Sequence, residues 1–179
     1  MENFIKISLN YDKNSIIDII SEIRNFYSKS CSQDMVEKIN QVLQLKYRVE
    51  SILYFNIPAL GRSPIHIDEN VNLAPPYNKF GLQLPLSNSD QIKMNWWQKK
   101  SPEIADELMT NPNIKNAAKH RKLKYENATL VDSVTYTQPI IVNISDYHSV
   151  ENLSKQLGYF ISLRFDPNIS KDLIIASLQ

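Results

Sequence analysis

The chain has 179 residues, of which 42% are hydrophobic and 22% charged, which suits one domain that buries its own core. Its net charge of +1 makes no global case for nucleic acid or an anionic membrane as partner. A single cysteine, Cys31, excludes an internal disulfide and CxxC zinc chemistry, and three glycines argue against a phosphate-cradling loop.

The N-terminal "MENFIKISLN" alternates and carries charge, so it reads as a strand over Phe4–Leu9 and not as a signal peptide. No apolar run reaches transmembrane length. With the lone cysteine, this gives the expectation of a cytoplasmic protein with no membrane contact. In "NSIIDIISEIRNFY", Ile16, Ile17, Ile19, Ile20, Ile23 and Phe26–Tyr27 recur at helical spacing, with Asn14 or Ser15 as the N-cap. "SQDMVEKINQVLQLKY" predicts a second amphipathic helix whose stripe is Met35, Val36, Ile39, Val42 and Leu43. Together they form a helical buttress over about 12–46 that covers a sheet.

From about residue 48 the texture changes to short strands with turn punctuation: "VESILYFNIP", "SPIHIDE", "KFGLQLPL" and "QIKMNWW". "SPEIADELM" predicts a helix, with Ser101 as N-cap and Pro102 in the first turn. A basic insertion follows over about 110–126, with Lys115, Lys119, Arg121, Lys122 and Lys124; it reads as a solvated loop, or as a lid or contact for an anionic substrate or partner. Strands resume with "ATLVDSVTYTQ", "PIIVNI", "DYHSVEN" and "GYFISLRF". "NISKDLIIASLQ" predicts a closing helix capped by Ser170. Two helices and then roughly eight short strands, over a β core of about 48–165, predict a mainly β fold: an antiparallel sandwich or barrel with flanking helices, in one domain over 1–179.

The chemistry sits in "SPIHIDENVNL". Residues i and i+2 of a strand share a face, so His66 and Asp68 project together as two adjacent metal ligands. A third ligand from another strand completes two histidines and one carboxylate, the facial arrangement that suits non-haem Fe(II). His120 lies among cationic residues, a poor setting for a divalent ion. His148, just ahead of a late strand, is the better candidate. Metal binding needs neutral imidazoles, so affinity falls in acid. Read alone, an H-x-D triplet is a weak signal that arises often by chance, and a surface or structural pair is its commoner meaning.

The segments "IHIDENVNLAPPYNKFGLQLPLSNSDQIKMNWW" and "PIIVNISDYHSVENLSKQLGYFISLRF" resemble the iron(II)/2-oxoglutarate-dependent oxygenases over roughly residues 50–165. The second carries His148, Val150 and Asn152, then Ser162-Leu163-Arg164-Phe165. The resemblance implies a double-stranded β-helix (jelly-roll, cupin-like) core, and Fe(II) held by His66, Asp68 and His148. It further implies hydroxylation of a small-molecule or peptide substrate, coupled to decarboxylation of 2-oxoglutarate. One departure matters. The family's usual anchor for the far carboxylate is a basic residue about ten positions past the distal histidine, where this chain has Gly158. Arg164 shares its strand face but lies about 20 Å further along, at ~3.3 Å per residue. Arg62, Lys79, Lys93 and Ser162 are the other candidates for the cosubstrate. Trp96, Tyr147 and Asn152 are candidates for the substrate cleft. Tyr54 and Tyr77 are candidate hydroxyl donors, or core residues. A cupin-like metalloprotein that does not use 2-oxoglutarate, and a β-barrel binding module without catalysis, remain as alternatives.

Overall fold

The structure is a computed structural model that describes residues 2–23, 28–68, 79–109 and 120–178. Helix α1 (Lys13–Ile19) is capped by Asp12, whose carboxylate accepts from the amides of Asn14 and Ser15; a short 3-10 turn, Ser21–Ile23, follows it. The cap therefore lies two residues upstream of Asn14 and three upstream of Ser15, the positions expected, because a carboxylate there reaches two unpaired amides at once. Helix α2 (Gln33–Leu43) is capped by Ser32 and ends on Gln44 in the left-handed region, φ 50°. Helix α3 (Lys171–Ser177) is capped by Ser170, as the sequence predicts. Phe26 and Tyr27 lie outside the described residues.

Among the described residues the strands are β1 (Phe4–Lys6), β2 (Ser28–Ser30), β3 (Ser51–Ile57), β4 (Ile65–His66), β5 (Phe80–Ser87), β6 (Ile92–Lys99), β7 (Glu107–Met109), β8 (His120–Leu123), β9 (Ala128–Thr135), β10 (Ile140–Asn143), β11 (His148–Asn152) and β12 (Gly158–Arg164). They form two antiparallel sheets, ordered β1-β10-β5-β12-β3-β2 and β7-β8-β4-β11-β6-β9. The centres of the two sheets, β10-β5-β12-β3 and β4-β11-β6-β9, take the eight strands from β3 onward (without β7 and β8) in alternation, except that β6 and β9 follow one another as antiparallel neighbours in the second sheet. That is the winding of a jelly roll, or double-stranded β-helix. The mainly β fold with flanking helices is thus the one the sequence predicts.

Two differences follow from packing. "SPEIADELM" is a turn followed by β7, not a helix. Asp106 is held there by Lys99, at 2.7 Å, and by the Tyr147 hydroxyl, while Ile104 packs on Ile65 and Leu123. Those tertiary contacts outweigh a short stretch's helix propensity. The end of the basic insertion is also a strand: β8 pairs with β4 in the register Ile65↔Leu123 and His66↔Lys122.

Strand alternation divides the interior. Ile52, Tyr54, Leu82, Leu84, Ile161 and Leu163 point outward from the first sheet, into a core closed by Ile16 and Ile20 of the α1 region and Val36 and Ile39 of α2. Their neighbours point inward, between the sheets, where Ile57, Met94, Trp96, Tyr136, Ile140, Val142 and Phe160 make a second core. The candidate site opens off this inner space.

Candidate metal centre

His66 is the last residue of β4, and His148 the first of β11. The two face each other directly across the ladder, with ring centroids 4.6 Å apart. Asp68 lies just past β4, where Ile67 N–H donates to Arg121 O and Asp68 N–H donates to Ile144 O. These bonds carry the extended path beyond the two-residue strand and bring the carboxylate back beside His66. One ligand atom from each of His66, Asp68 and His148 lies within 4.8 Å of the others.

The hydrogen bonds select the tautomers. His66 Nδ1 lies 2.9 Å from Pro64 O, and His148 Nδ1 lies 2.9 Å from Asp146 O. A carbonyl only accepts, so each Nδ1 carries a proton, and each neutral ring presents the Nε2 lone pair. Both lone pairs face Asp68 Oδ1, at 3.1 and 3.6 Å. Three electron-rich atoms then meet at one point. A proton or a cation must lie among them, and backbone carbonyls that orient metal-binding histidines in this way are the usual support of such a site. The donor set, two imidazoles and one carboxylate oxygen, fits a first-row divalent metal.

The other carboxylate oxygen is already used. Arg164 Nη2 donates to Asp68 Oδ2 at 2.7 Å, and the arginine is 5% exposed. In the metal-free protein a proton on Nε2 takes the cation's place: burial opposes the charged carboxylate, but hydrogen bonds from the protonated His148 and His66 and the Arg164 charge hold Asp68 well below the ordinary range. For His66, burial works against the charged form, yet the hydrogen bond and charge of Asp68 raise its pKa above the usual value. Burial lowers the pKa of the Arg164 guanidinium, against the pull of Asp68.

Gly81 makes room for this arginine: a Cβ there would lie 1.8 Å from Arg164 Nη1. Gly158, six residues earlier on the same strand, faces the opposite constraint. A Cβ there would lie 2.6 Å from Ile92 Cδ1 and 2.8 Å from Asn88 O, so no anchoring side chain fits.

The remaining candidates lie as follows. Lys79 and Phe80 line a groove beside Phe165 and Lys171, apart from the histidines. Arg62 stacks on Tyr125, 3.6 Å from the ring centroid, and approaches Glu151 at 3.9 Å. Lys93 alternates with the buried Ile92 and Met94. Ser162 Oγ accepts from Gln83 Nε2 at 2.8 Å, one layer from Arg164. Trp96 is core, its Nε1 donating to Asn143 O at 2.8 Å. Tyr147 donates to Asp106 on the outer face. Asn152 closes the turn after β11, donating to Ile57 O and Gln156 O. Tyr54 is fully buried in the outer core, and Tyr77 lies outside the described residues. His120, set aside in the sequence for its basic surroundings, has its ring centroid 6.4 Å from that of His66 but is not one of the three convergent groups.

Sequence reasoning missed the walls of the cleft. Phe55, Gln83, Met94, Tyr136 and Phe160 line it with the three ligand residues and Arg164. The available signal was parity: Gln83 stands between Leu82 and Leu84, and so faces the opposite way from them.

Fold and side chains define a jelly-roll protein with an H-x-D…H group of two histidines and one carboxylate at the mouth of its inner space. No protein-family model matches the chain, and no curated protein matches its sequence. Among solved structures it is similar to a Pseudomonas putida prolyl-4-hydroxylase, with 8% identity, 92% of each chain covered and a TM-score of 0.44.

Proposed function

We propose that the protein is a non-haem iron(II)-dependent oxygenase that consumes a 2-oxo acid, of which 2-oxoglutarate is the family's usual choice, and hydroxylates a small-molecule or peptide substrate. One observation carries the reading. Two Nε2 lone pairs and Asp68 Oδ1 converge, and each histidine is fixed in that tautomer by a backbone carbonyl.

Iron(II), which His66, Asp68 and His148 would hold, would supply activation of dioxygen. The chain's own work is positioning. Pro64 and Asp146 carbonyls hold the rings. Arg164 engages Asp68 Oδ2, which leaves Oδ1 as the single ligand oxygen and adds to the histidines' effect in keeping the carboxylate ionised. Phe55, Met94 and Phe160 keep water from the inner side of the cleft.

The test is anaerobic titration with Fe(II). The wild-type protein is expected to bind one equivalent, and addition of a 2-oxo acid to give a weak visible charge-transfer band. His66→Ala and Asp68→Asn are expected to lose binding by at least tenfold. Failure of the wild-type protein to bind a divalent metal would sink the proposal.

A further inference from the structure

The cleft is chemically lopsided. At one end stand the ligand triad and Arg164, whose Nη1 is buried with no hydrogen-bond partner among the described residues. The whole cleft has a volume of about 270 Å³, and Phe55, Ile57, Met94, Val150 and Phe160 supply its apolar walls. The other polar residues that line it are Ser63, Gln83, whose Nε2 donates to Ser162 Oγ, and Tyr136, whose hydroxyl donates to the Met94 sulfur at 3.3 Å, a weak acceptor. Among the described residues, Arg164 is the one arginine or lysine lining this cleft. The first inward position of β12 is Gly158, where Ile92 and Asn88 leave no room for a side chain.

We infer that this cleft takes a 2-oxo acid with a single carboxylate and an uncharged, apolar tail, in preference to a dicarboxylate. This rests on the oxygenase reading above and narrows it. A carboxylate desolvated among aliphatic and aromatic groups with no cationic partner is strongly disfavoured, whereas an aliphatic tail gains from the same walls. The carboxylate and oxo group belong at the metal end, beside Arg164, and the tail runs beneath Phe55, Met94 and Phe160.

The coupled reaction balances without a further reductant. The C1–C2 bond of the oxo acid breaks and carbon dioxide leaves. One atom of dioxygen ends in the new carboxylate of the shortened acid, and the other in the substrate hydroxyl. Oxo acid and substrate each lose two electrons, and dioxygen takes up the four.

The probes are 4-methyl-2-oxopentanoate and 2-oxoglutarate. Each is titrated anaerobically into Fe(II)-loaded protein, with the charge-transfer band as readout. Calorimetry on Mn(II)-loaded protein reports the same affinities without turnover. The monocarboxylate is expected to bind at least tenfold more tightly. Met94→Lys, which places an ammonium next to Tyr136, is expected to reverse that order. Equal or tighter binding of 2-oxoglutarate to the wild-type protein would overturn the inference, as would metal binding with neither acid bound; the metal centre would stand in both cases. Failure to bind Fe(II) overturns the oxygenase reading as well.

Discussion

The two faces of the first sheet share their strands but are built to different rules. Outward, Ile52, Leu82, Leu84, Ile161 and Leu163 meet helices, and the space between is filled with apolar side chains. Inward, the alternate positions of the same strands are Gly81 and Gln83 on β5, and Gly158, Phe160, Ser162 and Arg164 on β12. A helix-covered face can be filled, because nothing has to enter it. A face opposite a second sheet can taper from a packed apolar end to an open polar one, and here the charged groups gather at the open end. The lesson is that period-2 alternation separates stability from chemistry along a single strand.

Substitutions on the two faces should separate in the same way. The largest stability loss is expected for Leu163→Ala, fully buried against the helices, at about 2–5 kcal/mol. Chemical denaturation should show it, with Fe(II) affinity of the folded protein unchanged; a matching loss of affinity would break the contrast between the faces. Arg164→Met, on the opposite face one residue along, should cost less stability, about 1–3 kcal/mol for one charge-assisted hydrogen bond, but weaken metal binding measurably. Gly81→Ala tests the same contact from the neighbouring strand. Its methyl displaces the guanidinium and should cost about 1–3 kcal/mol by overpacking, with metal affinity moving in the direction seen for Arg164→Met.

Acid sharpens the contrast further. In metal-free protein, the Asp68 carboxyl is depressed on folding, so its stabilisation is present above an unfolded pKa of about 3.9 and is lost as pH falls through the lower folded value. His66 is raised on folding, so its contribution is full below about 6.5 and is lost as pH rises through the higher folded value. Asp68→Asn should flatten both arms of a stability-against-pH curve, whereas Leu163→Ala should lower the curve without changing its shape. Smallest of all is the effect expected at Cys31, where burial raises the thiol to about 11. Its alkylation by iodoacetamide should stay slow at neutral pH and accelerate only above about pH 10. Fast labelling at pH 7 would show that the outer core opens there.

The sequence by itself determined the mainly β fold, helix α2 by its apolar stripe, helix α3 with Ser170 as its cap, and the likeness of His66, Asp68 and His148 to a ligand set. These are local: a period, a cap or an H-x-D spacing is complete within a few residues. Only the tertiary structure decided that β8 pairs with β4, that "SPEIADELM" turns instead of coiling, and that Arg164 meets Asp68 across 96 positions of chain. It also decided that Gly158 stands where no side chain fits, because Ile92 and Asn88 press against it from another part of the chain. Parity placed Gly158 and Arg164 on one face. What each confronts there depends on the sheet packed opposite and on neighbouring strands, and no local pattern encodes that distance.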